Sequence, residues 1–264
     1  MHKRKILTMG ILMLITISLS GCGKNKVENS VEKSSIESSN LEKEQVEAIN
    51  SKGLSTKEYK VENFEKIYVQ SPVDVYYTVG EKVSVSAEVN EYFLENLVIE
   101  VKNNELKIYC KDNLKEPMLN MKDYPNIYIT APKINALALS GASSFQSENT
   151  MVSDSFNVQI SGASSSNLPL KVKDLTVEIS GSSDCKFSGE VQNLNCRLSG
   201  SSDMNFFELQ TNNSKVIASG ASHLEISCKD NLDVSASGAS SVLYKGNPKV
   251  IKNLSGASTV DREN

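Results

Sequence analysis

From residue 134 onward, apolar and polar residues alternate in short runs, and the runs recur. The string Ser-Gly-(Ala/Ser)-Ser occurs seven times, with its glycine at Gly141, Gly162, Gly181, Gly200, Gly220, Gly238 and Gly256. Successive spacings are 21, 19, 19, 20, 18 and 18 residues. Two residues before each glycine stand Leu139, Ile160, Ile179, Leu198, Ala218, Ala236 and Leu254. Four before, the first six are Leu137, Val158, Val177, Cys196, Val216 and Val234; four after come Phe145, Ser166, Cys185, Met204, Leu224, Val242 and Val260. Apolar residues at even offsets describe strands with one buried face. A period near nineteen is too short for a propeller blade or a helical hairpin and suits one coil of a β-solenoid. No such coil buries its apolar face alone, so stacked coils must share a core.

The pattern predicts an all-β chain built on a parallel β-solenoid over residues 134–264, of the right-handed β-helix kind. Seven motifs bound six coils, a stack of about 30 Å at roughly 4.8 Å per coil. The glycines read as structural corners, where the backbone needs angles that other residues avoid. Their serines can hydrogen-bond along the stack, or can present a binding face. Residues 58–133 have a different texture. Lys66–Val69, Val73–Val79, Val83–Val89, Leu97–Val101, Glu105–Cys110 and Asn126–Thr130 read as short strands separated by turn signals, with Asn103-Asn104 closing a hairpin. This region is expected to cover one end of the solenoid and so hide its unpaired strand edges. At the other end, Asp261-Arg262-Glu263-Asn264 would discourage end-to-end stacking. Residues 58–264 read as one folding unit.

The N-terminus belongs to a different category. Lys3-Arg4-Lys5 precede an apolar run from Ile6 to Ser20, too short to span a membrane comfortably, which reads as a signal peptide over residues 1–21. It ends in Leu19-Ser20-Gly21-Cys22, which resembles the lipobox of bacterial lipoproteins. That resemblance implies lipid attachment at Cys22, the only kind of side chain that supplies a thiol for the thioether. Losing Lys3, Arg4 and Lys5 takes the formal charge from −4 to −7. Residues 22–57, rich in Ser, Glu, Lys and Asn, bury too little to offset ordering entropy and read as a flexible tether. A disordered coil of that length spans about 30–35 Å on average.

Phe64-Glu65-Lys66-Ile67-Tyr68-Val69, Val73-Asp74-Val75-Tyr76-Tyr77, Glu105-Leu106-Lys107-Ile108 and Ala131-Pro132 precede Leu137-Ala138-Leu139-Ser140-Gly141-Ala142-Ser143. In this order they resemble the head GIN domain family, whose members are called autotransporter adhesins. The resemblance covers roughly residues 58–260 and implies an exported, solenoid-like all-β domain. The sequence shows no coiled-coil stalk and no barrel segment; a lipid anchor stands in the barrel's place.

Composition narrows the function. A net charge of −4 leaves no general basic footprint for nucleic acid, and two histidines with no tryptophan leave little for Ser-His-Asp chemistry or aromatic sugar platforms. No cofactor is expected. Besides Cys22 there are Cys110, Cys185, Cys196 and Cys228; Cys185 and Cys196 fall on inward columns and read as small buried hydrophobes rather than a disulfide. Three residues after their glycines, Asp184, Asp203 and His223 would form an outward row about 5 Å apart, a candidate metal site or otherwise plain surface polarity. The resulting expectation is a lipid-anchored extracytoplasmic protein of the bacterial cell membrane, not an enzyme, whose solenoid binds a surface glycan or protein or serves as an envelope structural module. The alternative is a carbohydrate-active β-helix enzyme.

Overall fold

Strand pairing in this chain is overwhelmingly a matter of one coil lying parallel on the next. The computed structural model describes residues 53–111 and 124–263. In chain order the strands are β1 (Ser55–Tyr59), β2 (Lys66–Gln70), β3 (Asp74–Val79), β4 (Ser84–Val89), β5 (Leu97–Lys102), β6 (Glu105–Cys110) and β7 (Asn126–Ala131). There follow β8 (Ala136–Ser140), β9 (Ser144–Ser147), β10 (Met151–Ile160), β11 (Ser165–Ile179), β12 (Asp184–Leu198) and β13 (Asp203–Ala218). The last are β14 (His223–Ala236), β15 (Ser241–Lys245), β16 (Lys249–Leu254) and β17 (Thr259–Arg262). One helix, α1 (Glu91–Asn96), lies between β4 and β5. The fold is a parallel β-solenoid of about seven turns.

Stacking is in register at the inward columns. Leu137, Val158, Val177, Cys196, Val216 and Val234 sit opposite one another from β8 to β14, and all are buried. Phe187 and Phe206 stack at 4.5 Å with their rings 10° from parallel, a contact worth more than its buried area alone. The uneven repeat lengths have a local cause. β13 carries irregularities against both neighbours around residues 206–210, so its extra residues are absorbed there while the corners stay aligned.

At the corners, Gly200 shows why the motif is so invariant along the chain. Its φ is +85°, and a Cβ there would lie 2.4 Å from the Gly181 carbonyl oxygen of the coil below. That oxygen accepts from the N–H of Ser201 at 2.8 Å, and the Gly200 carbonyl accepts in turn from Ala221 at 2.8 Å. A parallel corner ladder therefore excludes side chains both by dihedral angle and by contact. The serine two residues after each glycine closes the turn: its hydroxyl donates to the carbonyl three residues back, as in Ser222 to Ser219 at 2.8 Å and Ser240 to Ser237 at 2.8 Å. Each of these hydroxyls caps its own backbone, and Ser258 also donates to the Ala236 carbonyl of the coil below at 3.0 Å.

The N-terminal region contributes coils as well as a cover. β2 pairs in parallel with both β6 and β8, and β3 with both β7 and β9. Residues 66–79 are thus a coil without the motif, lying between the coil of residues 105–131 and the first motif-bearing coil. Beyond β6 and β7 the pairing turns antiparallel: β5 on β6, β4 on β7, β1 on β4. The β5–β6 hairpin turns at Asn103 and Asn104, with φ of 54° and 62°, which two-residue hairpins demand and asparagine tolerates. Helix α1 crosses from β4 to β5; Asn90 caps it by accepting from the Phe93 N–H at 3.1 Å, and the Phe93 side chain is fully buried.

Candidate functional site

The inward thiols are sealed. Cys185 and Cys196 are completely buried, and burial pushes each thiol up to about 12. A thiol held protonated in a dry core is a packing group rather than a nucleophile. Cys110 and Cys228 are also buried, and all four are free thiols.

Any site must therefore lie on the outward columns. Register places Asp184 opposite Asp203 and Asp203 opposite His223. The same column continues through Asp74, Ser144 and Ser165, and the Ser144 hydroxyl donates to Asp74. Alignment of backbones does not make the side chains converge. His223 points toward Glu225, with Nε2 3.9 Å from the carboxylate, and among the described residues no three His, Cys, Asp or Glu side chains are grouped to hold a metal ion. Cys22 lies outside the described residues.

Two open depressions mark the flanks. One, of about 650 Å³, runs along the ladder before the glycine corner, past Tyr68, Gln159, Glu178, Ser180, Arg197 and Ile217. Gln159 donates to Glu178 at 3.4 Å, so that this strip pairs its polar groups across coils. The other, of about 690 Å³, lies over the middle segments of β10 to β14 and is lined by Lys133, Lys171, Lys173, Lys229, Asp154 and Glu190. These lysines stand outside the Ser-Gly-(Ala/Ser)-Ser string that marks the coils in the sequence. A signal was present: Lys171, Glu190 and Lys229 each lie nine residues after a motif glycine.

Elsewhere polar side chains are used to tie coils together. Asn193 donates to Asp174 at 2.8 Å, Asn213 to Asn193 at 3.1 Å, and Asn231 to Asn213 at 2.7 Å. This amide ladder follows a corner of four consecutive coils and satisfies groups that a bend would leave unpaired.

Among solved structures, a "putative adhesin" from Bacteroides fragilis matches with a TM-score of 0.73 at 24% identity, covering 80% of this chain and 98% of the other. A "putative lipid binding protein" from Parabacteroides distasonis matches with 0.64 at 21% identity, covering 80% and 97%. A "putative adhesin" from Parabacteroides merdae gives 0.66 at 17% identity, with the same coverage. At these identities the likeness is one of fold. No curated protein matches the chain. The family description "Putative auto-transporter adhesin, head GIN domain" matches residues 63–248, the whole run from the loop before β2 to the turn after β15. The chain belongs to the head GIN domain family.

Proposed function

We propose that this protein is a lipid-anchored, extracytoplasmic binding module that works by adhesion rather than catalysis, holding its solenoid off the bacterial membrane on the tether of residues 22–57. The observation that carries this reading is the regular polar flank. Outward positions repeat coil after coil on a rigid parallel stack, which suits an extended ligand contacted at many points. The names of the family and of the structural relatives, adhesin-like and in one case lipid-binding, agree with it. Among the described residues no helix is long and apolar enough to cross a membrane, so attachment in this reading rests on Cys22.

The test has two arms. Cells supplied with labelled palmitate should tag the wild-type chain and leave Cys22→Ala unlabelled and released; a label retained on the variant removes the anchor. Arrayed envelope glycans should retain the protein without being cleaved. Turnover of any glycan would replace the binding reading with the enzymatic one.

A further inference from the structure

We infer that the lysine-lined depression over the middle segments of β10 to β14 binds an extended polyanion, a polymer carrying carboxylate or phosphate groups. The inference rests on the binding-module reading above and names its ligand class and its face.

Charge is the first argument. The chain carries −4 overall, yet four lysines, Lys133, Lys171, Lys173 and Lys229, line this depression against two acids, Asp154 and Glu190. An adjoining hollow of about 430 Å³ shares Lys133 and adds Lys66. A basic hollow on an acidic molecule concentrates field lines and draws anions to one place. Availability is the second. Lys171 stands 3.7 Å from Glu190, but the two side chains are 68% and 73% exposed, and such a pair yields readily to a competing anion. Lys133, Lys173 and Lys229 form no ion pair among the described residues.

Shape is the third. Lys171 lies on β11 and Lys229 on β14, three coil steps or about 14 Å apart along the stack. A single small anion cannot reach both, whereas a polymer lying along the axis can meet Lys171 and Lys173 at one end and Lys229 at the other, passing the exposed Glu190 and the neutral Gln210 and Asn212 between them. A membrane surface fits less well. Its headgroups meet side chains that project from a convex face, whereas these line a hollow, and Val152 is the one large apolar side chain there that is strongly exposed, at 62%.

The test uses the full chain in detergent, with polygalacturonate and polyphosphate as carboxylate and phosphate probes and dextran as the neutral control. Wild type should bind both polyanions, more weakly as salt is raised, and leave dextran alone. The Lys173→Gln/Lys229→Gln pair should lose about a factor of five per lysine. The Lys107→Gln/Lys186→Gln pair changes net charge equally on other faces, Lys107 in register with Tyr68 and Lys186 with Asn167, and should bind as wild type does. Equal loss in both pairs, or no binding to either polyanion, overturns the inference. So does binding to phosphatidylglycerol vesicles that matches the polymers and falls with the same lysines, since the hollow would then be a membrane patch. Retention on neutral glycans unaffected by the lysine changes would overturn the polyanion while leaving the binding-module reading in place.

Discussion

The two ends of the stack solve one problem in opposite ways. At the N-terminal end the parallel ladders give way to antiparallel strands, and α1 crosses between β4 and β5 with Phe93 buried. Inward side chains stay covered there, including Leu97 and Ile99 on the outermost strand β5. At the C-terminal end β16 lies bare. Leu254, in a column that is otherwise fully buried, is 47% exposed. The column that holds Val216 and Val234 ends in Lys252, whose ammonium donates to the Val260 carbonyl and lies 5.8 Å from the Tyr244 ring centre. One end is sealed by packing; the other is blunted by a charge pointing inward where the next coil would sit. Sealing adds stability, and blunting gives some of it up for solubility.

That contrast can be broken most forcefully at the sealed end. Phe93→Ala should cost about 3–5 kcal/mol, the usual toll for removing a buried aromatic ring, read as a lower midpoint in urea. A midpoint that hardly moves would mean the helix decorates the end without closing it. The corners between the ends come next. Gly200→Ala combines a left-handed dihedral penalty of about 1–2 kcal/mol with an overlap of about 1–3 kcal/mol. Gly141→Ala should show only the first, because its nearest contact would be the Ser71 nitrogen at 3.7 Å. Equal losses would place the whole cost in the dihedral.

The middle of the stack offers a pH test. Burial holds Cys185, Cys196 and Tyr77 up at about 12, above their ordinary values of 9 and 10. Each contributes stability that is complete below its unfolded value and is lost as pH rises toward the folded one. Stability should therefore fall from pH 9 toward 12, by on the order of 1 kcal/mol per pH unit for each group. At pH 8 the native thiols of Cys185 and Cys196 should resist alkylation, with roughly one in ten thousand ionised. Rapid native labelling of Cys185 or Cys196 would show that the core opens. The smallest effect on folding belongs to the blunted end. Lys252→Val restores the column and should shift stability by less than about 1 kcal/mol. Sedimentation should nevertheless reveal association that grows with concentration; a variant that stays monomeric would deny Lys252 its blunting role.

How much of this was legible in the sequence depended on repetition. The solenoid announced itself because a parallel stack imposes one period on glycine, serine and inward apolar residues together. The coil of residues 66–79 escaped notice as a coil because it turns through Ser71-Pro72 and lacks the glycine. Strand β1 was hidden for another reason: four of its five residues are exposed, so no alternation betrays it. Helix α1, at six residues, is too short to print a helical period. The row of Asp184, Asp203 and His223 was placed correctly in register, but register fixes backbones, and outward side chains choose their own rotamers. The basic hollow was obscured because Lys133 and Lys173 arrive from unrelated offsets.

The interleaving of residues 66–79 bears on how the chain is made. From β8 onward, stack order follows chain order, so each new coil can settle on the one already formed. β2 and β3 are different: among the described residues their partner strands are β6 and β8, and β7 and β9. A chain delivered N-terminus first presents this coil early and must leave it unpaired until residues 105–147 have followed. Closing those longer loops is the slow part of assembly, so the end that becomes the best sealed is also the one that stays open longest while the protein is being born.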